Sequence, residues 1–198
     1  YDVQKINVDI DFLINNNELN LEKLKNSDIK FKNAEYKFNE KFIVSREIEK
    51  MSKSKFNVVS PDQICEKYGA DTLRMYEMFL GPIEQSKPWN TAGITGVHNF
   101  LKKFWSLYHD ESGFSISHLK PNQKSLKILH KTIKKVNSDI EKFSFNTCVS
   151  SFMICVNELS SINEKSSEVL RDLCLLMSPF APHICEEIWS KFGDSDTI

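Results

Sequence analysis

The residues of this chain best suited to chemistry are five consecutive ones: Lys50, Met51, Ser52, Lys53 and Ser54. A lysine ammonium is a compact charge on a flexible stem, and hydrogen bonds from a charged donor to phosphate oxygens are about twice as strong as neutral ones. Two ammonium groups and two hydroxyls so close together suit the binding of a polyphosphate. They could also stabilise negative charge that grows on a phosphate leaving group.

A lysine- and serine-containing loop is usually no more than solvated surface, because lysines are rarely buried. The complete pentapeptide is much rarer than a lysine pair. Its chance occurrence in a chain of 198 residues is on the order of one in a thousand or less. We therefore interpret residues 50–54 as a functional loop.

Two helices are predicted directly after this loop. Ser60 followed by Pro61 is typical of a helix start, and Gly69 is expected to end that helix. Asp71 is predicted to be the N-cap of a second helix, which ends before Gly81. We expect this helix pair to brace the loop.

Residues 50–54 resemble the KMSKS signature of class I aminoacyl-tRNA synthetases. The run from Asn57 to Arg74 is similar to the segment that comes directly after that signature throughout the class. The runs 75–82 and 84–91, which read MYEMFLGP and EQSKPWNT, resemble the leucyl-tRNA synthetase family more narrowly. The resemblance extends over nearly the whole chain.

The resemblance implies that the loop grips ATP while leucyl-adenylate forms. The leucine carboxylate would attack the α-phosphorus of ATP and pyrophosphate would leave. Lys50 and Lys53 would be the catalytic residues, and Met51, Ser52 and Ser54 would complete the ATP-binding loop. ATP would carry its own Mg²⁺, and no protein-bound metal is expected in this chain.

Class I synthetases have a second signature, H-x-G-H, in the upstream half of the nucleotide-binding site. The five histidines here never stand in that arrangement: His98, His109, His118, His130 and His183. We therefore interpret the chain as an excised fragment, and we expect leucine to be bound by an upstream half. The chain is predicted to be inactive in leucine activation when alone.

Alternating apolar and polar residues over 5–12 predict a strand, and residues 34–44 predict a hairpin that turns at Asn39 and Glu40. From Thr91 onward apolar residues recur every three or four positions, which predicts helices. The expected fold class is mainly α. A small β-rich N-terminal segment precedes an α-helical bundle of the anticodon-binding type. The predicted domains are 1–49, the β-rich end of a catalytic domain; 50–85, the loop and its helices; and 86–198, the bundle.

A lysine-rich helix is predicted near residues 123–142, with the lysines 124, 127, 131, 134, 135 and 142. At 100° per residue they lie opposite an apolar stripe that begins at Leu126 and continues through Ile133. A one-sided row of this kind can follow RNA phosphates without reading sequence. From the residues alone, a merely solvated helix face in a lysine-rich chain is the better interpretation. The resemblance implies tRNA binding by the five residues Lys124, Lys127, Lys131, Lys134 and Lys135, with tRNA(Leu) as the partner, and it leaves both interpretations open.

The bulk composition argues against a strongly basic nucleic-acid-binding protein and against a membrane-spanning one. The net charge is −1 and the sequence pI is about 6.6, so any nucleic-acid surface must be local. No apolar run approaches the ~18 residues that a membrane span needs. The five cysteines show no pairing framework, which favours buried thiols and a cytoplasmic protein. We expect a monomer. His183 is interpreted as a capping or packing residue, and Trp105 and Trp189 as core residues.

Two alternatives remain at this point. The chain could come from a sister class I synthetase for isoleucine, valine or methionine, although the run 84–91 argues against that. It could instead be a helical RNA-binding module with no catalytic share. A pure binding module has no reason to retain the loop at 50–54.

Overall fold

A computed structural model describes residues 5–15, 17–37, 41–193 and 196–198. The chain forms two compact units, one up to Ser60 and one from Pro61 to the end. The loop at residues 50–54 lies in the first unit, and the two helices after it lie in the second. The proposed three-part division at 49/50 and 85/86, and the bracing of the loop, stay predictions.

The first unit contains short helices: α1 (Leu21–Ser27), α2 (Ile29–Lys32) and 3₁₀ turns at Ile10–Phe12 and Lys53–Lys55. The Asn20 side chain accepts a hydrogen bond from the Lys23 amide at 3.1 Å and so caps α1. Leu19 and Leu24 are the buried apolar side chains of this unit's described residues.

The strand predicted over residues 5–12 is wrong. The Asp9 carboxylate accepts a hydrogen bond from the Asp11 amide at 2.9 Å, and this side-chain bond turns the backbone into the 3₁₀ turn. Ile6 and Ile10 are 58% and 44% exposed, so the apolar side of the alternating pattern has no buried face to join.

β-Pairing in the described part of this unit consists of isolated bridges between Leu13 and Leu19 and between Glu18 and Ile43. The Leu19 amide donates to the Phe42 carbonyl at 2.9 Å. One arm of the predicted hairpin therefore pairs with the segment before α1. The predicted turn at Asn39 and Glu40 lies outside the described residues.

The second unit is a bundle of helices joined by short connections, and the expectation of a mainly α fold is confirmed. Its elements are α3 (Pro61–Tyr68), α4 (Ala70–Phe79), α5 (Thr91–Tyr108), β1 (His109–Asp110), β2 (Gly113–Phe114), α6 (Gln123–Glu141), α7 (Phe145–Ser161), α8 (Ser167–Met177) and α9 (Pro182–Lys191). β1 and β2 form a small antiparallel hairpin. No helix in the described ranges is long and apolar enough to cross a membrane.

The bundle core is closed by aromatic and aliphatic side chains. Phe104, Tyr108 and Phe152 are fully buried, and the Tyr108 hydroxyl donates to the Leu170 carbonyl at 2.8 Å. Burial raises the pKa of this phenol well above its ordinary value, so it stays a neutral donor. Trp189 is 8% exposed, as predicted for a core residue, whereas Trp105 is only half-buried.

The predicted role of Asp71 is wrong. α4 begins at Ala70 with Gly69 at its N-cap, where φ is 87°. Asp71 is 7% exposed and its carboxylate instead accepts hydrogen bonds at the start of α9: from the Ile184 amide at 2.7 Å, the His183 amide at 3.3 Å and the His183 Nδ1 at 2.8 Å. An acidic side chain caps a helix N-terminus equally well from another element.

α6 buries a face that only partly overlaps the one its hydropathy predicts: Leu129 and Val136 are buried as predicted, but the buried face is shifted around the helix. The buried residues include Ser125, Thr132 and Asp139, whereas Ile140 is 38% exposed. The polar side chains can be buried because each has a partner. Thr132 donates to the Ile128 carbonyl at 2.9 Å, and Ser125 donates to the buried Glu164 carboxylate.

Candidate functional site

The loop around residues 50–57 is held in shape by one asparagine. The Asn57 side-chain oxygen accepts from the Ser52 amide at 2.8 Å, and its Nδ2 donates to the Lys50 carbonyl at 3.4 Å. A 3₁₀ turn follows at Lys53–Lys55, closed by the Lys55 amide donating to the Ser52 carbonyl at 3.0 Å. The backbone that carries the charged side chains is therefore fixed at both ends of the loop.

The three lysines of this loop differ in their partners. Lys55 makes an ion pair with Glu49, with 2.5 Å between Nζ and Oε2. Lys50 and Lys53 are exposed, and neither ammonium has an ion-pair or hydrogen-bond partner within the described ranges. The Ser52 and Ser54 hydroxyls lie 2.9 Å apart and share a hydrogen bond. Two unpaired cations and a hydroxyl pair thus remain available to an anionic ligand.

Phe56 ends the turn in the left-handed region, with φ 53° and ψ 33°. This conformation costs an L-residue about 1–2 kcal/mol because Cβ approaches the following carbonyl oxygen. The side chain is 54% exposed. Sequence reasoning missed this residue, because nothing in the residue type indicates a positive φ.

The predicted lysine row of α6 flanks a groove between α6 and α7. Lys124, Lys127 and Lys131 line it on α6 together with Ile128, and Glu158 and Ser161 line it on α7; its volume is about 370 Å³. The row lies beside the buried face, at about 110° from it when the positions are projected at 100° per residue. The hydropathy pattern predicts the row opposite the packed face. The row is not fully opposite it, because the buried face of α6 is shifted toward Ser125, Thr132 and Asp139.

Lys134 and Lys135 are exposed on the same side of α6, but Lys135 is already engaged. Its ammonium contacts both carboxylate oxygens of Asp139, at 2.6 and 2.5 Å. Burial raises the pKa of Asp139, but the hydrogen bonds from Lys135 and Thr147 outweigh it, and the net pKa lies below the ordinary aspartate value. Lys135 is therefore less available to an external anion than the other lysines of the row.

A second connection that sequence reasoning missed joins α4 to the start of α9. Besides the Asp71 contacts, the Arg74 guanidinium donates to the Pro179 carbonyl at 3.1 Å. The cap of α9 is Asp71 rather than His183, whose 73% exposed side chain bonds to that carboxylate through Nδ1 at 2.8 Å. The capping or packing role of His183 stays a prediction. The signal available in sequence was an alanine-proline helix start without its own capping side chain.

No cluster of three or more metal-ligating side chains is present among the residues described. All five cysteines are free thiols, and Cys148, Cys155, Cys174 and Cys185 are buried, as predicted. Burial raises the pKa of the Cys148 thiol to about 11. The Cys148 thiol is therefore a protonated core side chain at neutral pH.

Two family models match the chain. Residues 28–88 match tRNA synthetases class I (I, L, M and V), and residues 122–198 match the anticodon-binding domain of tRNA ligase. The first contains the loop with Lys50 and Lys53, and the second contains the groove lysines of α6.

Curated relatives are similar along the whole chain. A leucine–tRNA ligase of Christiangramia forsetii is 58% identical over 99% of this chain and 20% of its own length. One of Flavobacterium johnsoniae is 59% identical over 99% of this chain and 21% of its own length. The chain thus spans about a fifth of the length of the curated relatives it matches.

A solved structure shares the fold. It is the ternary complex of a LeuRS of Agrobacterium radiobacter K84 with tRNA and LeuAMS. The match has a TM-score of 0.63 and 27% identity, and it covers 74% of this chain and 21% of the other. From the loop, the bundle and these likenesses together, we conclude that the chain belongs to the leucine–tRNA ligase family of class I synthetases, as a segment about a fifth as long as its relatives.

Proposed function

We propose that this segment works within a longer cytoplasmic leucine–tRNA ligase. There Lys50 and Lys53 bind the phosphates of ATP while leucine is activated. The leucine carboxylate attacks the α-phosphorus, the bond to the bridging oxygen of the β-phosphate breaks, and pyrophosphate leaves with its Mg²⁺. The two lysines counter the negative charge that moves onto the leaving group. The rest of the polypeptide supplies the leucine pocket.

The observation that carries this proposal is the difference between the loop's lysines. Lys55 forms an ion pair with Glu49. Lys50 and Lys53 have no such partner within the described ranges, and Asn57 holds the backbone that carries them. Exposed cations on a preorganised loop need little reorganisation when a polyphosphate arrives. Ser52 and Ser54 bond to each other and leave one hydroxyl donor free at the same place.

We propose a second role for the bundle, the binding of tRNA(Leu) by its phosphate backbone. The supporting observation is the groove whose wall carries Lys124, Lys127 and Lys131. Phosphate contacts release condensed counterions, so they predict affinity that falls steeply with salt. Filter binding of tRNA to the complete enzyme at several salt concentrations tests this role. A flat salt dependence would argue against phosphate contacts.

The catalytic role is tested by Lys53→Ala in the complete enzyme, with leucine-dependent ATP–pyrophosphate exchange as the readout. Removing one preorganised donor to a developing anion costs on the order of 10²–10³ in kcat. We expect a loss of that size in kcat and a much smaller change in the KM for leucine, because the lysine acts on the transition state.

Lys55→Ala is the matched control. It removes the same charge from the same loop, but from an ammonium that Glu49 already neutralises. We expect exchange to fall by less than about fivefold, the scale of a surface ion pair. Equal losses in the two variants would contradict the assignment of Lys53 and point to a general effect of loop charge.

A further inference from the structure

The charges at Lys50 and Lys53 leave one feature of the loop unexplained, the aromatic side chain of Phe56. Its ring is 54% exposed. No other ring and no cation contacts it in the part of the chain that the structure describes. A solvated phenylalanine on a strained backbone gains nothing from burial in this state, so compensation must come from outside this chain, from a ligand on the loop or from the rest of the longer polypeptide.

The backbone of Phe56 is held in place from both sides. Lys55 precedes it and is tied to Glu49, and Asn57 follows it and is tied to Ser52 and the Lys50 carbonyl. The Phe56 amide also donates to the Lys53 carbonyl at 3.2 Å. These contacts maintain a left-handed conformation that a bulky L-residue rarely adopts. The ring is therefore presented at a fixed place on the loop that carries the two free cations.

The chemistry of the loop matches a nucleotide better than a bare polyphosphate. Lysines alone suffice for phosphate oxygens. A nucleoside triphosphate adds a planar base, whose π-face stacks on aromatic side chains. We infer that Phe56 stacks on the base of the nucleotide whose phosphates Lys50 and Lys53 bind. This inference rests on the proposed function, and it makes Phe56 a binding residue for ATP.

The test separates the base from the phosphates. In the complete enzyme, the KM for ATP is measured in leucine-dependent exchange, and inorganic tripolyphosphate is used as a competing ligand without a base. Removal of one base–aromatic stack weakens binding roughly tenfold. We expect Phe56→Ala to raise the KM for ATP by about that factor while the inhibition constant of tripolyphosphate stays within about twofold.

Two further variants separate the ring from the backbone. Phe56→Tyr keeps an aromatic face and should retain the KM of the unmodified enzyme within about twofold. Phe56→Gly adopts the positive φ readily but has no ring, so its KM should rise as in Phe56→Ala. Thermal unfolding of each variant confirms that it is folded at the assay temperature.

Several results would overturn the inference. One is an unchanged KM for ATP in Phe56→Ala. Another is an equal rise for ATP and tripolyphosphate, which would mean that the ring packs on protein and only shapes the loop. A third is a Phe56→Gly variant with normal KM, which would assign the effect to the backbone. Unchanged exchange in Lys53→Ala would defeat the proposed function itself, whereas a normal KM in Phe56→Ala beside an impaired Lys53→Ala would defeat this inference alone.

Discussion

The loop at residues 50–57 and the interior of the helical bundle use polar side chains in opposite ways. In the bundle, Asp71, Asp139 and Glu164 are buried and each carboxylate accepts several hydrogen bonds. In the loop, Lys50 and Lys53 are exposed and unpaired in the described structure. Buried polar groups must be satisfied internally, because an unsatisfied one costs the full desolvation penalty. Groups that bind a ligand must remain available, and they contribute little to stability.

The largest effect that this comparison predicts is a loss of activity with almost no change in stability. The double variant Lys50→Ala/Lys53→Ala should lose on the order of 10³-fold or more in exchange, since both preorganised cations are gone. Its free energy of unfolding should change by less than about 0.5 kcal/mol, as for other exposed substitutions. Exchange kinetics and thermal unfolding of the complete enzyme measure the two quantities. A destabilised double variant would break the comparison.

The converse is expected for Asp71 in the bundle. Asp71→Ala leaves the His183 and Ile184 amides of α9 without their acceptor. Loss of a helix cap and of hydrogen bonds to a charged acceptor should lower the free energy of unfolding by about 2–4 kcal/mol. Denaturant unfolding measures it. Asp71→Asn is the control, because asparagine is an equally good cap and should recover part of the loss.

The groove lysines should affect RNA affinity alone. Replacing Lys124, Lys127 and Lys131 together by alanine should reduce the slope of log affinity against log salt by up to about 3, one for each phosphate that is no longer neutralised. The control triple variant replaces three exposed lysines elsewhere in the same unit: Lys102, Lys120 and Lys191. Equal effects of both triples would assign the change to net charge and remove the groove from the tRNA interface.

The smallest predicted effect is a pH dependence from Asp139. Its pKa is below the ordinary aspartate value in the folded protein, so the folded state favours the ionised form. The stability it contributes is complete above the unfolded pKa of ~3.9 and is lost as the pH falls through the native pKa. The difference in Tm between the unmodified chain and Asp139→Asn should therefore be largest at neutral pH and shrink below about pH 4. A difference independent of pH would show that the charge does not matter.

The sequence predicted well where the signal is local. Pro61 begins α3 and Gly69 ends it, and α6 and α5 start within a residue or so of their predicted positions. Proline and glycine restrict or release the backbone at a single residue, and a helical stripe repeats over several turns, so both signals survive tertiary context. The loop was also recognisable, because its chemistry resides in the residue types themselves.

Sequence reasoning failed where a side chain's partner is distant. The buried face of α6 was only partly predicted because Ser125 and Asp139 are polar, and their partners Glu164 and Thr147 lie in later parts of the chain. The N-terminal strand was predicted from the alternation of apolar and polar residues alone. In the structure Asp9 turns the backbone, and no neighbouring strand pairs with this segment among the described residues.

The amino-acid sequence by itself predicted the chemistry proposed for the loop and determined the helical character of this protein, since both depend on residue type and short-range spacing. The tertiary structure decided which charged side chains are unpaired and which form ion pairs. Lys53 and Lys55 are chemically identical near neighbours, and only the position of Glu49 distinguishes them. Likewise Asp71 became the cap of α9, whose Ile184 amide lies 113 residues further along the chain, because packing brought their ends together. Whether a charged side chain is paired depends on its distance from an opposite charge. Folding sets that distance, so the residue types alone do not reveal it.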